Sequence, residues 1–390
     1  MGLERMQSMV RSLGLSRPAG TVITVAGTNG KGSTCVAAEA LLLSAGKRVG
    51  TTLSPHVRRF NERIRIAGTE VEDDLICEAF AAIEAARGET PLTYFEFAAL
   101  ASLWIFRQAQ VDVAILEIGL GGRLDAYNVI DADIAVISSI GLDHQSFLGD
   151  TREAIGAEKA GILRRGQQVV LGPDMPITVR GVCDELGLTP TVLGETHLLE
   201  IDAGDRCWTL HGPQTTGVKS VPIGALAPQN LALAYLAAGS VAAVPDHVVG
   251  KVSQQAAIPG RMQQVIRDNR TWLLDVAHNP AGADFLTQAL ADRSLHPSLV
   301  VCGMLVDKDH GGVVARIRAE LDAPWLLVDT DAERGMSGHE LAERAGLEAA
   351  EPVSWSDLLD TVNSATQPGD VILLFGSFNV IEQFGLLDGA

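Results

Sequence analysis

The sequence predicts an α/β protein with a mostly parallel sheet in a larger phosphate-loop (P-loop) domain and a smaller, Rossmann-like C-terminal α/β domain. Short β-rich apolar runs alternate with helical segments, which is the pattern of parallel sheets covered by helices. A turn-forming segment, Pro259-Gly260-Arg261, interrupts this alternation before it restarts. The length of 390 residues and the hydrophobic fraction of 47% suit two domains. We therefore expect domains at residues 1–262 and 263–390.

The first domain is expected to open with a strand at residues 21–25 and a helix at 33–44 that ends before Gly46. The apolar run 231–244 is too short to cross a bilayer and predicts a buried core helix. Residues 173–228 show a less regular pattern. Further strands are predicted at 111–116, 133–138 and 168–171, with helices at 95–108, 151–160 and 230–243, and the second domain has predicted strands at 272–276, 299–302, 325–328 and 371–375.

The composition excludes several classes of partner. Lys and Arg total 30 against 48 Asp and Glu, which gives a formal net charge of −18. Such an acidic surface repels a phosphate backbone, so we expect neither nucleic acid nor an anionic membrane as a partner. The five cysteines form no C-x-x-C pair, so a zinc or thioredoxin-type motif is not expected. Scattered free thiols of this kind are typical of a reducing compartment. Glu4 and Arg5 lead into no apolar signal segment, and we expect a cytoplasmic protein.

The sharpest motif joins the first predicted strand to the first helix. Glycines let backbone N–H groups surround phosphate oxygens, the helix N-terminus adds partial positive charge, and a lysine reaches the β- and γ-phosphates. Val25 stands where the standard motif has its first glycine, and Gly32 separates Lys31 from Ser33. An ordinary glycine-rich turn is the alternative, but the lysine favours a P-loop ATPase domain. The expected loop residues are Gly27, Thr28, Asn29, Gly30, Lys31, Gly32 and Ser33.

Polar residues follow several predicted strands. Ligands of open α/β sheets bind at the carboxyl ends of strands, so Glu117 is a candidate Mg²⁺ ligand, with a surface carboxylate as the alternative. A lone histidine such as His144 is more often structural. Lys159 alone is typical of a charge that stabilises a helix C-terminus. Asp275 either faces a ligand crevice in the second domain or caps a helix.

Two further segments near these strands have competing interpretations. Four arginines fall between residues 58 and 65, where they either hold an anionic substrate or form a solvated edge paired with acids. Residues 119–122 are glycine-rich, but Leu124 stands where a dinucleotide fingerprint needs its last glycine. We therefore expect a tight turn there that places Glu117 and Asp125.

Taken together, these segments resemble the Mur ligase superfamily, and most closely its folylpolyglutamate synthase/dihydrofolate synthase family. The motifs run in family order and span most of the chain, so the set is specific although each motif alone is weak. They are residues 27–33, Ser54-Pro55-His56, Asn61-Glu62-Arg63, 93–97, 117–128, Asp143-His144, 158–162, Pro259-Gly260-Arg261, 275–280 and 303–309.

The resemblance implies an ATP-dependent amide ligase that uses Mg²⁺, with two ions expected. Its substrates are then L-glutamate and either dihydropteroate or the glutamate tail of a folate, and one or both ligations remain open. The acceptor carboxylate attacks the γ-phosphate to form an acyl phosphate, which the glutamate amine then attacks. Metal ions, Lys31 and loop N–H groups neutralise the clustered negative charge in such a reaction. We expect a monomer with small-molecule substrates as its partners.

The resemblance also implies roles for single residues. Ser54, Glu117 and His144 correspond to the Mg²⁺ ligands, and Lys159 corresponds to a lysine that the family carries as a carbamate. Catalytic roles fall to Lys31, Lys159 and His278, the last by holding the incoming glutamate. Beyond the loop residues 27–33, the family's nucleotide site corresponds to Asn230, Arg261 and Asp275, and its pterin segments to Thr93, Tyr94, Phe95, Glu96, Leu124, Asp125 and Ala126.

Three residues depart from the family pattern, namely Leu53, Tyr127 and Pro228. Tyr127, for example, fills a position that is usually small. These departures concern fine substrate preference. A Mur-type ligase acting on a nucleotide-linked cell-wall precursor shares the loop and the metal ligands, but Phe95, Asp125 and the arginine-rich segment favour folate. A non-catalytic nucleotide-binding switch is the third hypothesis, and it gives no reason for Lys159.

Overall fold

The computed structural model describes residues 3–202, 204–213 and 217–387. The chain divides into two compact units. The N-terminal unit runs to Asp202 and includes Cys207–Ala256, and the C-terminal unit continues from Ala257. The assignment of domains to residues 1–262 and 263–390 stays a prediction, since the compact units divide slightly earlier in the chain.

The main sheet of the N-terminal unit is mostly parallel. Its strands are β1 (Thr21–Ala26), β2 (Val49–Thr52), β3 (Ile64–Ile66), β4 (Thr69–Glu70), β5 (Val113–Glu117), β6 (Ile134–Ile137), β7 (Gln168–Leu171) and β8 (Thr191–Val192). The described residues place them in the order β4-β3-β2-β5-β1-β6-β7-β8. At one edge, β3 pairs antiparallel with both β2 and β4, and the other pairs of described strands in this sheet are parallel. The phosphate loop after β1 therefore lies between the ends of β5 and β6, at a switch in strand order where ligands of such sheets bind.

Helices of the N-terminal unit cover this sheet. Residues of β1, β5 and β6 are buried almost throughout, which explains their near-continuous apolar sequences. Pro228 at the first helical position suits its helix, because proline lacks the N–H that would have no partner there. The helices are α1 (Glu4–Ser12), α2 (Lys31–Ser44), α3 (Asp73–Arg87), α4 (Tyr94–Gln108), α5 (Gln145–Leu148), α6 (Arg152–Ala160), α7 (Ile177–Leu186), α8 (Pro228–Gly239) and α9 (Asp246–Gln255).

The less regular stretch predicted at residues 173–228 contains several short elements. This stretch contains α7, β8 and a separate antiparallel sheet of β9 (Leu198–Asp202), β10 (Cys207–His211) and β11 (Val218–Pro222). The apolar and polar side chains of β9 do not alternate strictly, as they do in a half-buried strand, because most residues of β9 are exposed. The sequence therefore lacked the usual signal of a strand.

The C-terminal unit has its own core and a second, mostly parallel sheet. Its strands are β12 (Gln263–Arg267), β13 (Arg270–Asp275), β14 (Leu299–Cys302), β15 (Trp325–Leu327), β16 (Glu351–Pro352) and β17 (Val371–Phe375). They follow the order β12-β13-β17-β14-β15-β16, with β12 antiparallel. The helices are α10 (Pro280–Asp292), α11 (His310–Glu320), α12 (Gly338–Ala345), α13 (Leu358–Ala365) and α14 (Phe378–Leu386). The predicted α/β class with mostly parallel sheets is confirmed. Within the described ranges, every helix is too short or too polar to span a lipid bilayer.

Candidate functional site

The phosphate loop depends on two glycines in backbone conformations that other residues avoid. Gly27 has a φ of +155°, and a Cβ added there would lie 2.0 Å from Ser138 Oγ. Gly30, at the start of α2, has a φ of +83°, and its added Cβ would lie 2.3 Å from Asn230 Oδ1. Glycine is required at both positions for conformation and for space. Asn230 thus lies against the loop with which it was grouped in the sequence.

Two serines that the sequence analysis did not identify hold the loop in place. Ser138 Oγ donates to the Asn29 carbonyl at 2.6 Å, and Ser139 Oγ donates to the same oxygen at 3.0 Å. Thr28 N donates to the Ser139 carbonyl at 2.8 Å. The hydroxyl pair directly after β6 was the available signal, because β6 is the strand beside β1.

Two lysines converge on one carbonyl oxygen of the loop. Lys31 Nζ donates to the Gly27 carbonyl at 3.0 Å, and Lys159 Nζ donates to the same oxygen at 3.0 Å. Lys159 is only 4% exposed, so it is not a solvated charge at the end of α6. Burial and the neighbouring charge of Lys31 lower the pKa of Lys159 to about 7. A substantial share of this amine is therefore neutral at physiological pH.

The metal-ligand candidates end or follow strands β2, β5 and β6 of the main sheet. Glu117 ends β5, pairs with Val25 in register and is 4% exposed. Its Oε2 accepts a hydrogen bond from Ser54 N at 2.6 Å, and its own N–H donates to Thr52 Oγ1 at 2.9 Å. His144 is half-buried in the loop after β6. Carboxylate, hydroxyl and imidazole groups suit a divalent cation that completes its shell with phosphate or other oxygens.

Among the described residues, no three His, Cys, Asp or Glu side chains converge as a complete metal centre. The predicted set of Ser54, Glu117 and His144 contains only two residues of those types. It fits a metal whose remaining ligands come from a bound nucleotide or from a modified side chain.

A cavity of about 440 Å³ lies beside these residues in the N-terminal unit. Six of the seven predicted pterin-site residues line it, and Ser54 joins its wall to Glu117. Tyr94 is not among the lining residues and is 61% exposed. The lining residues are Arg5, Ser54, Pro55, Arg63, Thr93, Phe95, Glu96, residues 119–126, Phe147, Leu148 and Glu158.

Two of the predicted pterin-site residues form a helix cap. Thr93 Oγ1 accepts from Glu96 N, and Glu96 Oε2 accepts from Thr93 N at 2.8 Å, which is the capping box of α4. Arg5, which the sequence analysis missed, donates to Glu96 Oε1 at 2.8 Å. Burial alone raises the pKa of Glu96, but hydrogen bonds from Arg5 and Thr93 outweigh it and lower that pKa. Glu96 is therefore an ionised, fully bonded wall of the cavity.

Asp125 holds the glycine-rich turn that forms the opposite side of the cavity. Its Oδ2 accepts from Gly119 N at 2.9 Å and Leu120 N at 3.1 Å, and its Oδ1 accepts from Tyr127 N at 3.0 Å. Burial raises the pKa of Asp125 to about 6, while these N–H donors oppose the shift. The predicted tight turn thus exists, and the carboxylate is committed to its backbone.

The aromatic wall of the cavity also depends on a glycine. A Cβ at Gly119 would lie 2.5 Å from Phe95 Cζ, so the Phe95 ring packs directly on backbone. Tyr127 meets Phe95 edge to face at 5.8 Å between ring centroids. This geometry fixes the plane of the Phe95 ring, which a flat aromatic ligand could stack upon.

The arginine-rich segment divides between the two interpretations of it. Arg59 pairs with Asp73 at 3.0 Å and Arg65 with Glu39 at 3.0 Å, so these two form ion pairs. Of the four arginines of this segment, only Arg63 lines the cavity. Its Nε donates to His56 Nδ1 at 2.6 Å, and burial together with Arg63 lowers the pKa of His56. The guanidinium also lies over the Tyr94 ring at 5.4 Å.

The remaining predicted site residues belong to the C-terminal unit. Asp275 ends β13, and its oxygens accept from Met262 N at 2.9 Å and Ala277 N at 2.8 Å. Burial raises the pKa of Asp275, against Arg261 and these donors. Asn279, not Asp275, caps α10. Arg261 lies over the Phe378 ring at 5.4 Å, and His278 Nδ1 lies 2.7 Å from the Val276 carbonyl.

Comparison with known proteins shows matches along nearly the whole chain. The Mur ligase middle domain matches residues 25–178, and the Mur ligase glutamate ligase domain matches residues 260–378. The Escherichia coli dihydrofolate synthase/folylpolyglutamate synthase is 40% identical over 98% of this chain and 90% of its own length. The Haemophilus influenzae protein of the same name is 38% identical over 98% of this chain and 92% of its own length.

Solved structures give the same result for the fold. A Yersinia pestis bifunctional folylpolyglutamate synthase/dihydrofolate synthase complexed with AMPPNP and Mn superposes with a TM-score of 0.92 at 39% identity. E. coli FolC in complex with DHPP and ADP superposes with a TM-score of 0.91 at 37% identity. Both comparisons cover 100% of this chain and 94% of the other.

Proposed function

The chain belongs to the dihydrofolate synthase/folylpolyglutamate synthase family of Mur ligases, and we propose that it joins L-glutamate to dihydropteroate, to the glutamate tail of folates, or to both. The reaction is ATP-dependent and proceeds through an acyl phosphate of the acceptor carboxylate. Relatives bind AMPPNP with Mn, and another binds DHPP with ADP, which supports ATP and a divalent cation as the requirements here.

One observation carries this proposal. Ser54 both lines the cavity and donates its N–H to Glu117, so the cavity meets the metal-ligand candidates at a single residue. In this proposal, a pterin-sized aromatic group binds in the cavity with its attached carboxylate at the Ser54 side, next to Glu117. That arrangement brings an acid and a γ-phosphate together, which is the positioning that acyl phosphate formation needs.

In this proposal the loop residues 27–33 hold the triphosphate. The backbone N–H groups at the start of α2 face phosphate oxygens, and Lys31 exchanges its loop carbonyls for phosphate. Ser54, Glu117 and His144 hold Mg²⁺, which supplies charge neutralisation for the transferred phosphoryl group. Asn230, already against Gly30, borders the nucleotide.

Lys159 is proposed to carry a carbamate. Its depressed pKa provides the neutral amine whose lone pair attacks CO₂, with loss of one proton. The resulting carboxylate would add the oxygen ligand that the set of Ser54, Glu117 and His144 lacks. The neighbouring Lys31 favours that negative charge, as both amines contact the Gly27 carbonyl.

Three residues of the C-terminal unit keep, in this proposal, the roles that the family resemblance implies for them. Arg261 and Asp275 contribute to the nucleotide site, and His278 helps to hold glutamate. Asp275 supports this role by fixing the backbone of Met262, next to Arg261, through one of its oxygens.

The direct test offers dihydropteroate and tetrahydrofolate separately, with ATP, Mg²⁺ and glutamate. We expect ADP and phosphate to appear only when an acceptor and glutamate are both present, with a product heavier by one glutamyl group by mass spectrometry. Positional isotope exchange in ATP should occur with acceptor alone, because acyl phosphate formation precedes amine attack. Turnover with a nucleotide-linked cell-wall precursor, or no turnover with either folate acceptor, would contradict the proposal.

We also propose that the enzyme acts as a cytoplasmic monomer without nucleic-acid or membrane partners. The net charge of −18 supports this, since it opposes anionic polymers and surfaces. Light scattering on the purified chain should give the mass of one 41.2 kDa protomer. A dimer mass at micromolar concentration would contradict the monomer.

A further inference from the structure

The three arginines that line the cavity have different surroundings. Arg5 pairs with Glu96 at 2.8 Å, and Arg123 pairs with Glu158 at 2.8 Å. Arg63 lines the same cavity but forms no ion pair with any residue that the structure describes. A guanidinium stays charged at every physiological pH. The cavity wall therefore carries one positive charge that no carboxylate of the described residues neutralises by direct contact.

The backbone places this arginine at the Ser54 side of the cavity. Arg63 ends the 3₁₀ turn Phe60–Arg63 and directly precedes β3. Its carbonyl accepts the N–H of Leu53 at 3.0 Å. Leu53 directly precedes Ser54, whose own N–H donates to Glu117 Oε2 at 2.6 Å. Arg63 is thus hydrogen-bonded through its backbone to the segment beside which the proposed function places the reacting carboxylate.

Three side chains hold the guanidinium of Arg63 in position. Its Nε donates to His56 Nδ1 at 2.6 Å. Its central carbon lies 5.4 Å from the centroid of the Tyr94 ring and 6.0 Å from that of the Phe60 ring. Within the described ranges, the two Nη groups have no hydrogen-bond partner. Two such groups on one rigid plane match the two oxygens of a carboxylate.

The two proposed acceptors differ in the charge that they bring to the cavity. Dihydropteroate has one carboxylate, and that group reacts. The glutamate tail of a folate has an α-carboxylate in addition to the γ-carboxylate that reacts, and both are ionised at physiological pH. Transfer of the non-reacting carboxylate from water into a cavity costs free energy unless a counter-charge and hydrogen-bond donors receive it. Only the folate tail therefore needs a further cationic group at this end of the cavity.

We propose that Arg63 binds the non-reacting α-carboxylate of the folate glutamate tail and is a specificity-determining residue for tail extension. This inference rests on the proposed function. His56, Tyr94 and Phe60 are positioning residues, because they orient the guanidinium. The exposed ring of Tyr94, which does not line the cavity, thereby acts on the substrate through Arg63.

The first test compares R63M, R63K and the control R59M in steady-state kinetics with each acceptor. R63M removes the charge and the donors, so the KM for tetrahydrofolate should rise by about tenfold or more, while the KM for dihydropteroate changes less than about twofold. R63K keeps a charge without the planar pair of donors and should give an intermediate KM for tetrahydrofolate. R59M replaces an exposed arginine that pairs with Asp73, and it should match the wild type with both acceptors.

A modified substrate tests the same contact in the wild-type protein, whether or not R63M folds. Tetrahydrofolate whose α-carboxylate is converted into an amide should have a KM raised by about the same factor as R63M raises the KM for tetrahydrofolate. R63M should lose little more with the amide, because the contact is already absent.

Equal increases in the KM values for the two acceptors would mean that Arg63 binds the reacting carboxylate or supports the cavity in general, and would overturn the inference. A wild-type enzyme that does not distinguish tetrahydrofolate from its α-amide, or that uses dihydropteroate alone, would also overturn it. Failure of the proposed function is distinguishable, since the wild type would then show no glutamate-dependent turnover with either acceptor.

Discussion

The phosphate loop and the cavity lie in the same unit but are built in opposite ways. The loop presents backbone, and its critical glycines are pressed against Ser138 and Asn230. The cavity presents side chains, yet two of its carboxylates, Glu96 and Asp125, are hydrogen-bonded to the protein's own backbone. We therefore expect the loop to lose ATP binding when a substitution adds atoms to it. We expect the cavity to lose binding of dihydropteroate when a substitution removes one of its hydrogen bonds. A charged side chain at a site can serve the shape of the site rather than the ligand.

The largest effect is expected on the loop side, from K159A. Loss of the second amine on the Gly27 carbonyl, and of the proposed carbamate, should lower kcat by at least about a hundredfold. Added formate or acetate should restore part of the rate. The control is K251A, which changes an exposed lysine of α9 and should retain activity. An active K159A enzyme without any added carboxylate would refute the carbamate.

G27A should be nearly as severe, and it tests the claim that the loop does not tolerate an added methyl group. The new Cβ meets Ser138 Oγ at 2.0 Å, and the backbone keeps a positive φ. Because both effects strain the loop, we expect the KM for ATP to rise by about tenfold or more. G166A is the matched control, because Gly166 has a φ of +79° but no atom within 4 Å of its added Cβ. Equal kinetic effects of the two substitutions would contradict the clash.

D125A tests the cavity side. Three backbone N–H groups of the turn lose their acceptor, so the KM for dihydropteroate should rise by about tenfold while the KM for ATP changes little. Steady-state kinetics with each substrate varied in turn measures this split. Equal increases in the two KM values would mean that Asp125 supports the phosphate loop as much as the cavity.

A smaller effect is expected from pH and CO₂ acting on Lys159. Its pKa of about 7 means that the neutral amine, the form that reacts with CO₂, increases as the pH rises through 7. At equal concentrations of dissolved CO₂, enzyme depleted of CO₂ should regain activity about tenfold faster at pH 8 than at pH 6, because the neutral fraction of the amine rises about tenfold over this interval. Recovery that does not depend on pH would argue against reaction at this amine.

The smallest effect should come from T93A, which removes one half of the capping box of α4. We expect a loss of ~1 kcal/mol in the free energy of unfolding, from denaturant titration. The KM for dihydropteroate should rise slightly, because Glu96 loses a partner that holds it in the wall. S337A removes the comparable cap of α12 and should cost similar stability with no change in KM. If T93A and S337A have the same KM for dihydropteroate, Thr93 does not help to hold Glu96 in the cavity wall.

The sequence was sufficient to predict the loop, because its glycines, lysine and strand–helix context are local. Glu117 could also be placed, since the end of a buried strand is visible in the apolar pattern. The capping box of Thr93 and Glu96 was visible too, as a threonine followed three residues later by glutamate, but it was interpreted only through the family resemblance.

Other features depended on contacts that the chain order does not reveal. Lys159 and Gly27 are 132 residues apart, and Arg5 and Glu96 are 91 apart. The bonding of Asp125 to Gly119 and Leu120 follows from a turn geometry that its sequence permits but does not specify. The contacts of Ser138 with Asn29 and of Tyr127 with Phe95 likewise join segments that are distant in sequence.

The oxygen shared by the two lysines has a practical consequence for protein engineering. Residues 21–44 contain the complete strand, loop and helix, so the segment could be chosen for grafting onto another protein. Moved to another scaffold, the segment would leave behind the amine from α6, and the Gly27 carbonyl would meet solvent or an unrelated side chain instead. Grafting this nucleotide-binding segment should therefore succeed only when α6 is transplanted with it.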